Sequence, residues 1–83
     1  MSQLYFTYIA LCSDRSYYTG YCADIDAREK KHNKGDGAKY TRIRRPVKIV
    51  YSESFKTRSA AMKREAEIKK WRREKKEQLI KGI

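Results

Sequence analysis

Residues 4–22 read LYFTYIALCSDRSYYTGYC, and this stretch decides the fold. Residues 4–11 are almost all aromatic or aliphatic, which predicts a buried strand. Residues 13–16 are polar and suit a turn, after which residues 17–22 return to strand-type side chains. The sequence therefore predicts an antiparallel β-hairpin. Gly20 inside the second strand indicates a bulge or a close backbone approach, and a phosphate backbone could use that space.

Beyond the hairpin, the sequence predicts one more strand and further helices. Asp24 is a good N-cap, so a helix is expected over residues 24–33. Residues 38–45 form either a basic loop or a short helical turn. The other predicted elements are a strand at residues 47–51, a helix that begins at Thr57 or Ser59 and ends near residue 70, and a helical stretch at residues 72–80. The order β-β-α-β-α-α predicts one α+β domain over residues 1–83, a small three-stranded antiparallel sheet flanked by helices.

The net charge points to an anionic partner. The 83 residues include 21 Lys and Arg against 10 Asp and Glu, a formal net charge of +11. A small domain with this excess repels itself unless a polyanion neutralises it. Nucleic acid is the first candidate partner and an anionic membrane surface the second. The alternative is charge that only serves solubility, for which a net charge of about 2 to 8 is enough.

The cysteines and the hydropathy pattern indicate the cellular compartment in which the protein is expected. A hairpin that turns at residues 13–16 places Cys22 opposite the region of Thr7, so no disulfide to Cys12 is expected. Two thiols and one His cannot complete a structural zinc site within the chain. No long apolar stretch marks a signal peptide or a membrane span. We therefore expect a reduced, cytoplasmic, monomeric protein with no membrane partner.

The first predicted helix carries a candidate anion site. Ile25, Arg28 and His32 fall at i, i+3 and i+7 and so share one helix face. Ile25 must point toward the core. Because Arg28 and His32 lie on the same side of the helix, they are expected at the edge of the same packed surface. A guanidinium in that position suits a phosphate. The alternatives are that Arg28 pairs with a carboxylate of this chain and that His32 is simply packed.

The second predicted helix carries the opposite charge in a similar position. Ala61, Glu65 and Ile68 share one face, which puts the Glu65 carboxylate in an apolar stripe, whereas Glu67 projects elsewhere. A carboxylate there must be paired, protonated or bound to metal. One carboxylate together with waters and phosphate oxygens is an acceptable Mg²⁺ site. The alternative is an internal salt bridge, for instance between Glu65 and Arg28.

Several short motifs, in this order, resemble one known family, the GIY-YIG nucleases. Residues 7–9 (TYI) and 18–20 (YTG) resemble the paired strands that name the family. Arg28 with His32 resembles its R-x-x-x-[Y/H] helix, and residues 61–65 (AMKRE) resemble the helix whose Glu binds metal. Residues 37–42 and 64–70 look like the short stand-alone bacterial members, which are related to the N-terminal nuclease domain of the bacterial excision-repair nuclease.

This resemblance implies hydrolysis of DNA phosphodiester bonds with one Mg²⁺ or Mn²⁺ ion, and it favours DNA over RNA as the partner. Glu65 would hold the metal, and Arg28 would bind the scissile phosphate and stabilise its developing charge. Tyr8 would help to activate the attacking water, with His32 as proton acceptor or relay. Tyr18 would orient the water or the phosphate. Whether Tyr8 and Tyr18 share a face depends on the hairpin register, which the sequence leaves open.

The sequence departs from the family pattern at three positions and admits two other functions. Thr7 and Thr19 replace the Gly and Ile of the name motifs, and Tyr21 stands where excision-repair relatives carry a Lys. A non-catalytic module on the same fold would bind DNA or RNA through its basic surface. An interaction protein would dock a partner through Trp71, Leu79 and Ile80. The residues predicted to contact nucleic acid are Lys39, Tyr40, Arg42, Arg44, Arg45, Lys69 and Arg72.

Overall fold

The computed structural model describes residues 3–82 and confirms the α+β prediction. Its strands are β1 (Tyr5–Leu11), β2 (Tyr17–Cys22) and β3 (Lys48–Phe55), and its helices are α1 (Ile25–Asn33), α2 (Lys39–Arg42), α3 (Arg58–Lys69) and α4 (Arg73–Lys81). The segment left open between loop and helical turn forms the short helix α2. The predicted N-caps are present: the side chain of Asp24 accepts from the Ala27 N–H, and that of Thr57 from the Ala60 N–H.

The third strand is longer than predicted. The sequence indicated a strand that stops at residue 51, but β3 continues to Phe55, which pairs with Tyr5. Residues 52–54 are two serines around Glu53, and such polar residues weaken the strand signal. Pairing with the buried strand β1 overrides that local preference, because each backbone group gains a partner there.

The sheet has the order β2-β1-β3, with both neighbours antiparallel to β1. Tyr8 pairs with Gly20, and Ala10 pairs with Tyr18. Side chains at positions of even spacing lie on the same face of a strand, so Tyr8 and Tyr18 project from one face as diagonal neighbours. The register that the sequence left open therefore brings the two phenols together.

Helices cover both faces of the sheet. On one face, Tyr8 and Ala10 belong to a buried cluster with Val47, and Ile25 of α1 packs against it. On the other face, the Thr7 hydroxyl donates to the carbonyl oxygen of Ala61 in α3 at 2.7 Å. Since Thr7 and Tyr8 are adjacent on β1, their side chains must lie on opposite faces. The sheet is thus a middle layer between α1 and α3.

Side-chain amide and carboxylate groups fasten α1 to β3. Asn33 donates through Nδ2 to the Val47 carbonyl at 2.9 Å and accepts the Val47 N–H at 2.7 Å. One turn earlier, Glu29 accepts the N–H of Ile49 at 2.7 Å. These bonds occupy the start of an edge strand and fix α1 against the sheet, which in turn positions the polar side chains that α1 directs inward.

Two expectations about cellular setting can be compared with the coordinates. Cys22 lies opposite Phe6, one residue from the position expected, and both Cys12 and Cys22 are buried free thiols, so the absence of a disulfide is confirmed. Within residues 3–82, every helix is too short and too polar to cross a bilayer.

Truncating the α3 anchor should test the packing of α3 on the sheet. Ile68 is fully buried, so Ile68→Ala leaves a cavity and should lower the free energy of unfolding by about 2–5 kcal/mol. Met62 lies on the same helix but is 45% exposed, so Met62→Ala is the matched control and should change little. Urea denaturation followed by circular dichroism measures both. Equal losses in the two variants would contradict the packing described.

Candidate functional site

A chain of buried hydrogen bonds links β1 to α1 and α2. The Tyr8 hydroxyl lies 2.7 Å from Nε2 of His32, and Nδ1 of His32 lies 2.8 Å from the Thr41 hydroxyl. Thr41 in turn donates its proton to the Ala38 carbonyl oxygen at 2.9 Å. A hydroxyl has one proton, so Thr41 must accept from Nδ1–H, which leaves Nε2 as the acceptor of the Tyr8 proton.

Two glycines make room for this chain. A Cβ atom on Gly20 would lie 2.6 Å from the Tyr8 hydroxyl oxygen, and a Cβ atom on Gly37 would overlap Nδ1 of His32. The sequence suggested that Gly20 marks a bulge or leaves space for a phosphate backbone. Instead, the Tyr8 phenol fills that space, because the register places Gly20 directly opposite Tyr8.

Burial and charge keep both members of the bond neutral. Burial raises the pKa of Tyr8 well above its usual range, and the neighbouring Tyr18 adds to this, whereas Arg28 acts in the opposite direction. Burial also lowers the pKa of His32, with smaller contributions from the positive charges of Arg28 and Lys31. His32 therefore presents a neutral, unprotonated Nε2 to the phenol near pH 7.

Tyr18 and Arg28 complete the cluster on this side of the sheet. The Tyr18 ring lies edge-on to His32, with 5.5 Å between ring centroids, and 6.3 Å from the Tyr8 ring. Arg28 donates through Nη1 to the Tyr21 carbonyl oxygen on the edge strand β2, and within residues 3–82 it forms no ion pair. The alternative of a carboxylate partner for Arg28 is thus not realised. Tyr18, Arg28 and His32 line one hollow of about 240 Å³.

Glu65 lies on the other side of the sheet. As predicted, it shares a face of α3 with the fully buried Ala61 and Ile68, and its side chain is 18% exposed. The internal salt bridge considered from the sequence does form, but with Lys69 (3.6 Å) rather than Arg28. The Lys69 ammonium also lies 6.0 Å from the centre of the Tyr18 ring. The structure therefore brings Tyr8, Tyr18, Arg28 and His32 together, whereas Glu65 lies apart on α3 and contacts Lys69, whose ammonium is near the Tyr18 ring.

The predicted nucleic-acid contacts divide into two groups. Lys39, Arg42, Lys69 and Arg72 are exposed. Arg44 and Arg45 are hydrogen-bonded within the surrounding loop, although Arg45 is also exposed. Arg44 pairs with an Asp14 oxygen at 3.0 Å and donates to the Tyr40 carbonyl, and Arg45 donates to carbonyls of Arg42 and Asn33. Sequence alone does not reveal such backbone partners. Tyr40 is 38% exposed and stacks on Tyr18, with 6.0 Å between centroids.

Comparison with known proteins identifies the family. Residues 4–78 match the model of the GIY-YIG catalytic domain. The chain belongs to the GIY-YIG family. UPF0213 proteins of Staphylococcus aureus strains Mu50 and N315 are each 58% identical to it over 77 residues, which is 93% of this chain and 94% of theirs. These relatives are stand-alone GIY-YIG proteins, so the resemblance inferred from the motifs is confirmed.

Solved structures of relatives share the fold. The UPF0213 protein BH0048 from Bacillus halodurans is 47% identical, with a TM-score of 0.60 over 94% of this chain and 83% of that one. The protein EF2693 from E. faecalis is 46% identical, with a TM-score of 0.64 over 98% of this chain and 86% of that one. The GIY-YIG fold is therefore shown over nearly the whole chain.

Two residues of this GIY-YIG site, Gly37 and Thr41, are not predicted from the sequence. Gly37 leaves space for the His32 ring, and the Thr41 hydroxyl fixes the tautomer of His32. The available signal was a Thr placed nine residues after the only His of the chain, with a glycine between them. A hydrogen bond between α1 and α2 has no periodicity that would disclose it.

The single His permits a direct titration. Because burial and Arg28 lower the pKa of His32, its NMR signal should titrate below the ordinary value of about 6.5. The unfolded chain then binds this proton more readily than the folded one, so the free energy of unfolding should be highest above pH 6.5 and fall as pH drops below it. His32→Gln should remove this part of the pH dependence. A folded-state pKa at or above 6.5 would contradict the environment described.

Replacing Thr41 should change the His32 tautomer. Thr41→Val keeps the shape but leaves Nδ1–H unpaired in a buried site, at a cost of about 1–3 kcal/mol. We expect the ring ¹⁵N shifts to show loss of the pure Nδ1–H form in Thr41→Val and its retention in Thr41→Ser. An unaltered tautomer and unaltered stability in Thr41→Val would show that this hydroxyl does not orient His32.

Proposed function

We propose that this protein is a divalent-metal-dependent endonuclease that hydrolyses DNA phosphodiester bonds. The observation that carries the proposal is the bond from the Tyr8 hydroxyl to an unprotonated Nε2 of His32. Beside it lies the Arg28 guanidinium, which pairs with no carboxylate among residues 3–82. A proton acceptor next to a free anion-binding group is what hydrolysis of a phosphodiester requires.

The guanidinium groups account for phosphate binding. Arg28 lines the hollow that holds Tyr18 and His32, and also a neighbouring hollow of about 260 Å³ that Arg58 lines. A guanidinium donates two parallel hydrogen bonds to phosphate oxygens and cannot lose its charge. Consecutive phosphates of one strand would therefore find partners at the β2 edge, and the net charge of +11 would bring the strand there.

Proton transfer follows from the hydrogen-bond chain. The Tyr8 oxygen is fully buried in the free protein, so substrate binding must open it to the hollow that Arg28 and His32 line. A water that attacks phosphorus then loses one proton to the Tyr8 oxygen as Tyr8 passes its own proton to Nε2 of His32. The new P–O bond forms as the P–O bond to the leaving nucleoside breaks, and the leaving oxygen takes a proton from solvent. A free phenolate at Tyr8 is not needed, which agrees with the pKa of this buried phenol lying far above neutrality. His32 becomes a cation and keeps its Nδ1–H bond to Thr41, while Tyr18 is positioned to orient the water or the phosphate.

The donor set fits one Mg²⁺ or Mn²⁺ ion held by Glu65. Residues 3–82 contain no group of three or more His, Cys, Asp or Glu side chains placed to share a metal. Glu65 is largely buried, and the ion pair that it forms with a described residue is a long contact to Lys69, 3.6 Å between the charged atoms. A hard divalent cation accepts a single carboxylate with waters and phosphate oxygens as its other ligands. The chemistry such an ion supplies when bound is neutralisation of charge on the phosphoryl oxygens.

The runner-up function is a non-catalytic nucleic-acid-binding module, for DNA or RNA, on the same fold. Its support is the net charge of +11 and the exposed side chains of Lys39, Arg42 and Arg72. These would give salt-dependent affinity whether or not a phosphodiester is cut.

Matched carboxylate variants on α3 separate the two functions. Glu65→Gln and Arg28→Gln should each lower cleavage of single-stranded, nicked or branched DNA by about a hundredfold or more, because each removes a charge that the transition state needs. Glu67 is 57% exposed and pairs with Arg64, so Glu67→Gln is the control and should retain activity. The assay follows labelled DNA with Mg²⁺ or Mn²⁺ at pH 7.5 and in EDTA.

The controls for this experiment use binding as well as cleavage. Fluorescence anisotropy in EDTA should show that Glu65→Gln still binds DNA, since a carboxylate is removed rather than a cation. Wild-type protein that binds tightly yet cuts no substrate would favour the binding module. Cleavage that survives both Glu65→Gln and Arg28→Gln would mean that the chemistry lies elsewhere.

A further inference from the structure

A third hollow adjoins the proposed catalytic cluster. It has a volume of about 240 Å³ and shares Tyr18 with the hollow that holds Arg28 and His32. The residues that line it are Tyr17, Tyr18, Thr19, Tyr40, Lys69 and Lys76. Its surface therefore combines three tyrosine rings with the ammonium groups of Lys69 and Lys76. The proposed proton transfer needs neither Tyr40 nor these two lysines.

The aromatic part is flat and held in place. The rings of Tyr18 and Tyr40 are within 22° of parallel, and the guanidinium of Arg44 lies 3.9 Å from the centre of the Tyr40 ring. Arg44 is itself fixed by its ion pair with Asp14. Tyr40 nevertheless stays 38% exposed, so part of its ring remains open to a ligand. Flat, fixed and accessible rings are the surfaces on which nucleobases stack.

The cationic part favours an anion at the same place. Burial and the nearby charge of Lys69 both lower the pKa of Lys76, so the two ammonium groups are close enough to repel each other. The carboxylate of Glu65 balances only one of them. A phosphate next to a stacked base would neutralise the second charge while the base covers the aromatic surface.

We propose that this pocket, lined by Tyr18, Tyr40, Lys69 and Lys76, binds one unstacked nucleobase and its phosphate, next to the phosphodiester held at Arg28. The inference rests on the proposed function, because it names the part of the substrate that flanks the cut. A volume of 240 Å³ holds a single base with part of its sugar, whereas a base inside a duplex is stacked on both sides and cannot enter.

The pocket also offers a polar group without a partner. The Thr19 hydroxyl is buried in the lining and forms no hydrogen bond with any residue from 3 to 82. Unpaired buried hydroxyls are rare in native proteins. The oxygen has almost no accessible surface in the free protein, so a bound nucleotide becomes its partner only if the Thr19 side chain rotates toward the pocket. The preferred substrate is then a single strand, or a duplex with an unpaired nucleotide beside the cut.

Binding without metal tests the pocket independently of cleavage. The probes are labelled oligothymidylate, alone and paired with oligodeoxyadenylate, and the readout is fluorescence anisotropy in EDTA. Base stacking on an aromatic ring is worth about 1–3 kcal/mol per base, so Tyr40→Ala should weaken single-strand binding by at least about fivefold. Tyr40→Phe keeps the ring and should bind like wild type, and duplex binding should change little in either variant.

Two neighbouring lysines provide a matched charge control. Lys76 lines the pocket, whereas Lys75 lies over the Trp71 ring, 4.2 Å from its centre. Lys76→Gln should weaken single-strand binding more than Lys75→Gln, although each removes one charge from the same helix. Equal losses in the two lysine variants, or equal losses of single-strand and duplex binding in Tyr40→Ala, would overturn the pocket and leave only general electrostatic attraction.

The outcomes also separate this inference from the proposed function. If wild-type protein never cuts DNA yet Tyr40→Ala selectively loses single-strand binding, the pocket stands and the nuclease proposal fails. If the protein cuts DNA but binds single strands and duplexes alike in every variant, the nuclease proposal stands and the pocket fails. Unfolding curves of Tyr40→Ala and Tyr40→Phe confirm that any difference arises in folded protein.

Discussion

The bond between the Tyr8 hydroxyl and Nε2 of His32 is the constraint from which the local features of the site follow. Both side chains are fully buried, and buried polar groups are costly unless they are paired. The phenol must therefore reach across β2, which requires Gly20, and the far nitrogen of the imidazole must be satisfied, which requires Thr41. Two apolar side chains at positions 8 and 32 would require neither a glycine at position 20 nor a hydroxyl at position 41.

The charge next to this bond couples phosphate binding to proton transfer. In the free protein, the positive charge of Arg28 helps to hold the pKa of His32 down, so the imidazole accepts a proton reluctantly. A phosphate bound to Arg28 would offset that positive charge and favour the imidazolium. The pKa of His32 would then rise when a substrate phosphate is bound, which makes the imidazole a stronger base. Without substrate, His32 would stay neutral, so no imidazolium would be buried beside the Arg28 guanidinium.

The sequence predicts the elements well because each has its own periodicity or cap. Helix periodicity also predicts which side chains turn toward the core: His32 is buried, and Arg28 and Glu65 are partly buried. Hairpin register, which decides whether Tyr8 and Tyr18 meet, depends on pairing across strands and could not be deduced locally. The backbone partners of the loop arginines and the tautomer set by Thr41 were hidden for the same reason: they are single contacts between segments that have no repeating pattern.

Because the site lies at an edge strand, side chains from both faces of this small sheet can contribute to it. A central strand has neighbours on each side, whereas β2 is open along one edge, and Arg28 donates to the Tyr21 carbonyl there. An open edge normally invites pairing with another chain. Here a charged side chain occupies it, which discourages such pairing and places a guanidinium between the face that carries Tyr8 and the face that carries Glu65. A phosphodiester lying along this edge would be open to side chains from both faces of the sheet.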